Sequence, residues 1–269
     1  MIKLGLAGAA GRMGTAIIEL ALDEPKIFSV DSGYEAKAFD GLGNPRAYSS
    51  RSLKHSKQVG LKTANEASFK NVDVCIDFTV HQATMEHITL ALKTNTAMVI
   101  GTTGFDTNEL AMIKKAAKKI AIMLSPNMSV GANLVFALAE KASGILGSSY
   151  DIEVIEAHHR HKKDAPSGTA NRLAEGIANA RGWDLAKVAK YGRQGFSGER
   201  PTEEIGMHVV RAGEIIGEHE AMFAGPGETI RISHQAGTRD AFAGGALVAA
   251  KFISKKKSGL YNMNDVLGL

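Results

Sequence analysis

The chain opens on an apolar strand pattern, "IKLGLAG" (2–8), and runs through a glycine turn into "RMGTAIIELALDE" (12–24). Apolar residues in the second stretch recur at helical spacing. Strand, glycine-rich turn and helix form the opening unit of a doubly wound parallel sheet. "IFSVDSGYE" (27–35) reads as a second strand, and "VDVCIDFT" (72–79) as a continuous apolar strand of the kind buried on both faces. "TAMVIGTTG" (96–104) and "AIMLSPNMSVG" (121–131) repeat the arrangement of a strand running into a loop of small or polar residues. In such sheets ligands bind at the carboxyl edge of the strands. A Rossmann-type α/β domain is expected over residues 1–130.

From residue 131 the pattern changes. "GANLVFALAEKASGILG" (131–147) predicts a long amphipathic helix. "YDIEVIEAHH" (150–159) and the segment 203–236 alternate apolar and polar residues, as half-exposed strands do. Between them "APSGTANRLAEGIANAR" (165–181) begins with a cap-like Ser-Gly-Thr and continues as a helix. Residues 131–240 are therefore expected to form a smaller α+β domain with an open mixed sheet. "DAFAGGALVAAKFIS" (240–254) is again a good apolar helix, and the segment 241–269 is expected to complete the first domain.

Composition narrows this picture modestly. No apolar run approaches the ~20 residues of a membrane span, and the N-terminus has no charged region ahead of an apolar stretch, so neither membrane nor secretory leader is expected. The lone cysteine, Cys75, sits inside an apolar strand run and reads as a core thiol, with the cytoplasm as the expected compartment. A net charge of +4 with only 6% aromatic residues lacks the interleaved basic and aromatic positions of a nucleic-acid surface, so no such partner is expected.

Two stretches carry candidate chemistry. In Gly8-x-x-Gly11-x-x-Gly14, Ala10 takes the slot that the usual G-x-G-x-x-G turn gives to glycine. Glycines there let backbone approach a pyrophosphate held at the following helix N-terminus. The acids Asp31 and Glu35, 17 and 21 residues beyond Gly14, both fall near the expected position of a ribose ligand. The other stretch, "EAHHRHKKDAPSGTA" (156–170), places six consecutive basic residues between a strand and a helix N-terminus. His158, His159 and His161 lack the usual zinc spacing, and Arg160, Lys162 and Lys163 would repel a cation, so no metal is expected. No G-x-S-x-G elbow surrounds Ser167, which disfavours nucleophilic hydrolysis. A small-anion site able to donate a proton near neutral pH remains, from a histidine near its ordinary pKa or from a lysine.

The stretches "GAAGRMG", "IDFT", "IGTTG", "SPNMSVGANL", "EAHHRHKKDAPSGTA", "GEHEAMF", "RDAFAGGAL" and "GLYNMNDVLGL" occur in order over nearly the whole chain. Together they resemble the 4-hydroxy-tetrahydrodipicolinate reductase (dihydrodipicolinate reductase) family. The resemblance implies an NADH- or NADPH-dependent oxidoreductase of lysine and diaminopimelate biosynthesis, acting on a small cyclic dicarboxylate and forming homotetramers through the open sheet. It implies His158 as acid/base and Lys162 as proton donor, with His159, Gly168 and Thr169 binding substrate. It places cofactor contacts on Gly8, Ala9, Ala10, Gly11, Arg12, Met13 and Glu35. Gly101, Thr102 and Thr103, with Ser125, Pro126, Asn127 and Met128, complete that set. Arg160, His161 and Lys163 receive no role.

Two departures bear on the cofactor. Family members often carry an arginine after the acid of the second strand and another after "DFT", where this chain has Ala36 and Val80. Both arginines would grip a 2′-phosphate, and Lys37 or Arg12 could compensate, so NADH is expected to serve at least as well as NADPH. The competing readings are another two-domain amino-acid or semialdehyde dehydrogenase, and a nucleotide sensor without turnover.

Overall fold

Alternating strand and helix signals in the first half become β1 (Ile2–Ala7), α1 (Arg12–Asp23), β2 (Phe28–Tyr34), β3 (Pro45–Ser49), β4 (Ser56–Lys62), α2 (Glu66–Phe69), β5 (Val74–Asp77), α3 (His81–Thr94), β6 (Ala97–Ile100), α4 (Thr107–Ala117) and β7 (Ala121–Leu124). The second half contributes α5 (Val130–Leu146), β8 (Asp151–His158), α6 (Gly168–Ala180), α7 (Leu185–Val188), β9 (Ala189–Tyr191), β10 (Ile205–Arg211), β11 (Glu218–Gly225) and β12 (Glu228–Gln235). The chain closes with α8 (Asp240–Ile253), β13 (Gly259–Tyr261) and α9 (Met263–Leu267). This computed structural model describes all 269 residues, and they divide into two units, Met1–Val130 with Arg239–Leu269, and Gly131–Thr238. No helix is long and apolar enough to cross a membrane.

The first unit holds an eight-stranded sheet in the order β13-β7-β6-β5-β1-β2-β4-β3. Every pair is parallel except β3 with β4. β5 and β6 are buried along their whole length, which explains their unbroken apolar sequences. The expected strand 72–79 is shorter in fact. It stops at Asp77, whose buried carboxylate accepts the Thr79 N–H (3.1 Å) and Thr79 hydroxyl (2.6 Å) and turns the chain out of the sheet. The β3–β4 pair is absent from the sequence-based expectation because only Tyr48, Val59 and Leu61 of it are buried. Cys75 is fully buried, and burial pushes its thiol pKa well up, as suits an inert core residue.

The second unit holds a five-stranded mixed sheet, β12-β11-β8-β10-β9. β8, β10 and β9 run parallel, while β11 is antiparallel to β8 and β12. Ile152 and Val154, Ile205 and Met207, and Ala221 and Phe223 share one face and pack under Phe136 of α5 and Leu173 and Ile177 of α6. Each of these buried side chains except Ala221 contributes roughly 1.5–3 kcal/mol of transfer free energy. No helix packs on the opposite face in that cluster, where Val210 is 45% exposed.

Candidate active site

In the first unit the turn after β1 is a backbone construction. Gly8 has a φ of +77°, and a Cβ on Gly14 would stand 2.2 Å from the Gly8 carbonyl oxygen, so the first turn of α1 lies directly against the loop. Gly11 is the N-cap of α1 and supplies no side-chain cap, leaving a helix start of the kind that receives phosphate. Glu35, just past β2, accepts the Ala10 N–H at 2.6 Å. From β3, the Arg46 guanidinium donates to the Ala10 carbonyl (3.0 Å) and the Tyr48 hydroxyl to the Ala9 carbonyl (3.1 Å). Asp31, by contrast, is exposed in the middle of β2, three residues short of the strand's carboxyl end at Tyr34. Arg12 is exposed and Met13 half-buried on the first turn of α1.

The neighbouring loops are tied together. Asp77 also bonds His87 Nδ1 (2.7 Å), and the Thr102 hydroxyl oxygen accepts the Thr79 N–H (3.1 Å). These bonds join the loop after β5 to the loop Gly101–Thr103 after β6. After β7 the Ser125 hydroxyl donates to the Asn127 carbonyl (2.7 Å), with Pro126 exposed and Met128 buried. The turn Gly8–Met13 and these loops thus follow four strand ends of one sheet.

In the second unit, β8 alternates Ile152, Val154, Glu156, His158 on the helix-covered face, so the apolar layer gives way to an acid and a histidine as the strand ends. Glu156 is only 1% exposed. Its carboxylate accepts two hydrogen bonds from Arg211 (2.8 and 2.9 Å), one from the Ser167 N–H (3.0 Å), and a very short one with His158 Nδ1. Burial alone would raise the Glu156 carboxyl pKa, but Arg211, His158 and Ser167 together hold it below its usual value. Breaking such a buried pair by removing one partner costs about 3–5 kcal/mol. His219 packs edge-on against His158 with ring centres 5.1 Å apart. Its Nε2 lies 3.1 Å from the hydroxyl of Ser167, which also caps α6 by accepting the Ala170 N–H.

The run of six basic residues is therefore divided by burial. His158 is buried, and burial lowers its pKa despite the neighbouring carboxylate, so it departs from the expectation of a histidine near its ordinary value. Lys162 is half-buried, with Nζ 2.9 Å from Asp164, whose carboxyl that ammonium holds down. His159 carries a buried Nδ1 with no hydrogen-bond partner. Arg160, His161 and Lys163 are exposed, and His161 sits 3.8 Å from Glu214 on the surface. Gly168 and Thr169 form the first turn of α6.

Ligand atoms of Glu156, His158 and His219 lie within 4.8 Å of one another, the spacing of a metal triad. Two Arg211 hydrogen bonds and one from His158 already occupy that carboxylate, and a divalent ion would have to displace a guanidinium. The donor set suits a hydrogen-bonded network. The sequence assigns no role to Glu156, Arg211 or His219, nor in the first unit to Arg46 or Tyr48, and marks Ser167 only as the helix cap that the structure finds. The period of two places Glu156 on the face of His158 and was the available signal. Nothing local marks Arg211, His219, Arg46 or Tyr48.

Residues 2–128 match the family model for the N-terminus of dihydrodipicolinate reductase, and residues 131–267 the model for its C-terminus. A 4-hydroxy-tetrahydrodipicolinate reductase of Nitrosomonas europaea is 45% identical over 270 residues, covering 100% of this chain and 98% of the relative. One from Dechloromonas aromatica is 44% identical over 269 residues, covering 99% and 98%. Among solved structures, the dipicolinate-bound dihydrodipicolinate reductase of Paenisporosarcina sp. TG-14 superimposes with a TM-score of 0.76 at 27% identity, covering 98% of this chain and 99% of that one. With both halves of the family matched end to end, the chain belongs to the dihydrodipicolinate reductase family.

Proposed function

We propose that this chain reduces 4-hydroxy-tetrahydrodipicolinate to tetrahydrodipicolinate with NADH or NADPH, in lysine and diaminopimelate biosynthesis. The observation that carries the reading is the buried end of β8 delivering His158, with Lys162 following, just ahead of the α6 N-terminus in a chain matched to the family along its length. The net reaction balances as substrate plus NAD(P)H plus one proton giving product, NAD(P)⁺ and water.

The glycine cradle fits a dinucleotide, since a Cβ at Gly14 would fill the space the turn requires. The backbone from Gly8 to Met13 and the Glu35 carboxylate hold its pyrophosphate and ribose, with the loops Gly101–Thr103 and Ser125–Met128 bordering the rest. Bound there, the nicotinamide supplies a hydride. In the second unit His159, Gly168 and Thr169 bind a substrate carboxylate, where the start of α6 favours an anion. The ring hydroxyl leaves as water with a hydrogen of the adjacent carbon; Lys162 gives its proton to that carbon as its neighbour is reduced, and a proton from solvent restores the ammonium. Ala36 and Val80 leave the 2′-phosphate without the two arginines usual in the family, so NADH serves at least as well as NADPH.

The cytoplasm is the compartment this reading expects, with neither membrane nor nucleic acid as a partner. The face of the second sheet that no helix covers supports assembly as a homotetramer, because an open sheet face and its edges call for cover. A coupled assay tests the activity. Substrate is generated from pyruvate and aspartate semialdehyde, and oxidation of each cofactor is followed separately. Turnover is expected with both, and cofactor binding without oxidation would return the chain to a nucleotide-sensing role.

A further inference from the structure

The segment "RAGEIIGEHE" (211–220) closes on the site from the strands flanking β8, yet it has no part in the reaction as described so far. Arg211 fixes both oxygens of Glu156 and, through Nη2, the Asp164 carbonyl (2.7 Å). Gly217 is buried beside the histidines, and a Cβ there would lie 3.2 Å from His158 Nε2 and 3.6 Å from His219 Cε1. Its φ is not positive, so space rather than backbone conformation calls for glycine. The His158 ring is therefore fixed on three sides. Nδ1 is bound to Glu156, one face meets the edge-on His219 ring, and the Nε2 edge is kept clear by the missing side chain.

We propose that Glu156, Arg211 and Gly217 are positioning residues that present His158 as a neutral imidazole, protonated on Nδ1, with the Nε2 lone pair directed outward as an acceptor. A carboxylate gripped by a guanidinium stays ionised and can only accept, so the nitrogen facing it must carry the hydrogen. The charged and titratable groups facing the ring are Glu156 of β8, Lys162 of the following loop, Arg211 of β10 and His219 of β11. Of these, only Glu156 favours a second proton, and burial with both cations opposes it. His158 thus accepts a hydrogen bond, and proton donation falls to Lys162 alone. The inference rests on the reading that His158 belongs to the reacting site.

The test uses the full chain. Nitrogen NMR of ¹⁵N-histidine-labelled protein, with His158 assigned by its loss in His158→Gln, is expected to find Nδ1 protonated and Nε2 bare at neutral pH. An Nε2–H tautomer or an imidazolium overturns the proposal. This readout does not depend on turnover, so a protein that fails to reduce the substrate defeats the functional reading while leaving the tautomer decided. In kinetics, Glu156→Gln is expected to lower kcat by roughly 10- to 100-fold, by analogy with the loss of a hydrogen-bond partner that orients a metal-bound histidine. It should also move the acid limb of the pH profile to lower pH, because the charge that favours imidazolium is gone. Loss of activity in step with loss of folded protein, the pH profile unmoved, counts against positioning. Should that variant not fold, Gly217→Ala decides with the NMR. It introduces no charge and is expected to lower kcat while leaving the Kd for NADH unchanged, and wild-type kcat in it overturns the role given to Gly217.

Discussion

The two units build their candidate sites from different materials. In the first, the candidate cofactor turn is shaped by backbone. Gly8 sits at positive φ, Gly14 is forced by a carbonyl, and Glu35 and Arg46 hold the two ends of the Ala10 residue. In the second, buried ionisable side chains from β8, β10 and β11 converge on one histidine. A pyrophosphate needs close approach and N–H donors, which backbone supplies. A proton transfer needs groups with set protonation states, which only side chains in a low-dielectric setting supply. A substitution should therefore affect binding in the first unit and turnover or pH response in the second.

The most forceful break is Lys162→Ala. It is expected to lower kcat by roughly 10²- to 10⁴-fold, the usual worth of a positioned acid. NADH affinity, followed by fluorescence, should hardly change, and wild-type turnover would remove Lys162 from the reaction.

His219 sharpens the comparison through pH. Burial, helped by the nearby His158, lowers its pKa to about 4. The unfolded chain then binds more protons than the folded one between about pH 6.5 and 4, so stability is full above that window and declines as pH falls through it. The loss amounts to about 3 kcal/mol at the acid end. Thermal unfolding across this range should slope in the wild type and slope less steeply in His219→Gln, where His158 and Glu156 still titrate. Glu153 acts lower. Burial would raise its carboxyl, but Arg193, His208 and Arg200 outweigh that and hold it at about 2, so its contribution is lost only below its ordinary pKa of 4.5.

In the first unit, Gly14→Ala is expected to cost about 1–3 kcal/mol through overpacking against the Gly8 carbonyl. Titration should find weaker NADH binding, with kcat at saturation nearly kept. A loss of kcat with unchanged affinity would contradict a backbone-built cofactor turn. The smallest effect concerns cofactor choice. The ratio of kcat/KM for NADPH to that for NADH should not exceed about one, and an NADPH preference above about tenfold, some 1.4 kcal/mol, would mean that another cation, Lys37 or Arg12, replaces the absent arginines.

Much of this was legible in the chain. The buried strands β5, β6 and β7 announce themselves as short apolar runs, and α5, α6 and α8 by their period. The β3–β4 pair escaped because so few of its residues are buried, and with it went Arg46 and Tyr48 on the glycine turn. In the basic run, charge count singled out six residues, but burial separates them. His158 is 8% exposed, whereas the side chain of His161, three residues on, is 71% exposed.

By itself the sequence determined the two-part organisation, the glycine turn and the family, because periodicity, glycine spacing and motif order are properties of neighbours along the chain. Only the tertiary structure decided that Glu35, not Asp31, meets the turn, and that Glu156, Arg211, Gly217 and His219 surround His158. Those partners lie up to 61 residues from His158, joined by strand register and by burial, and the protonation of a histidine depends on what surrounds it in space.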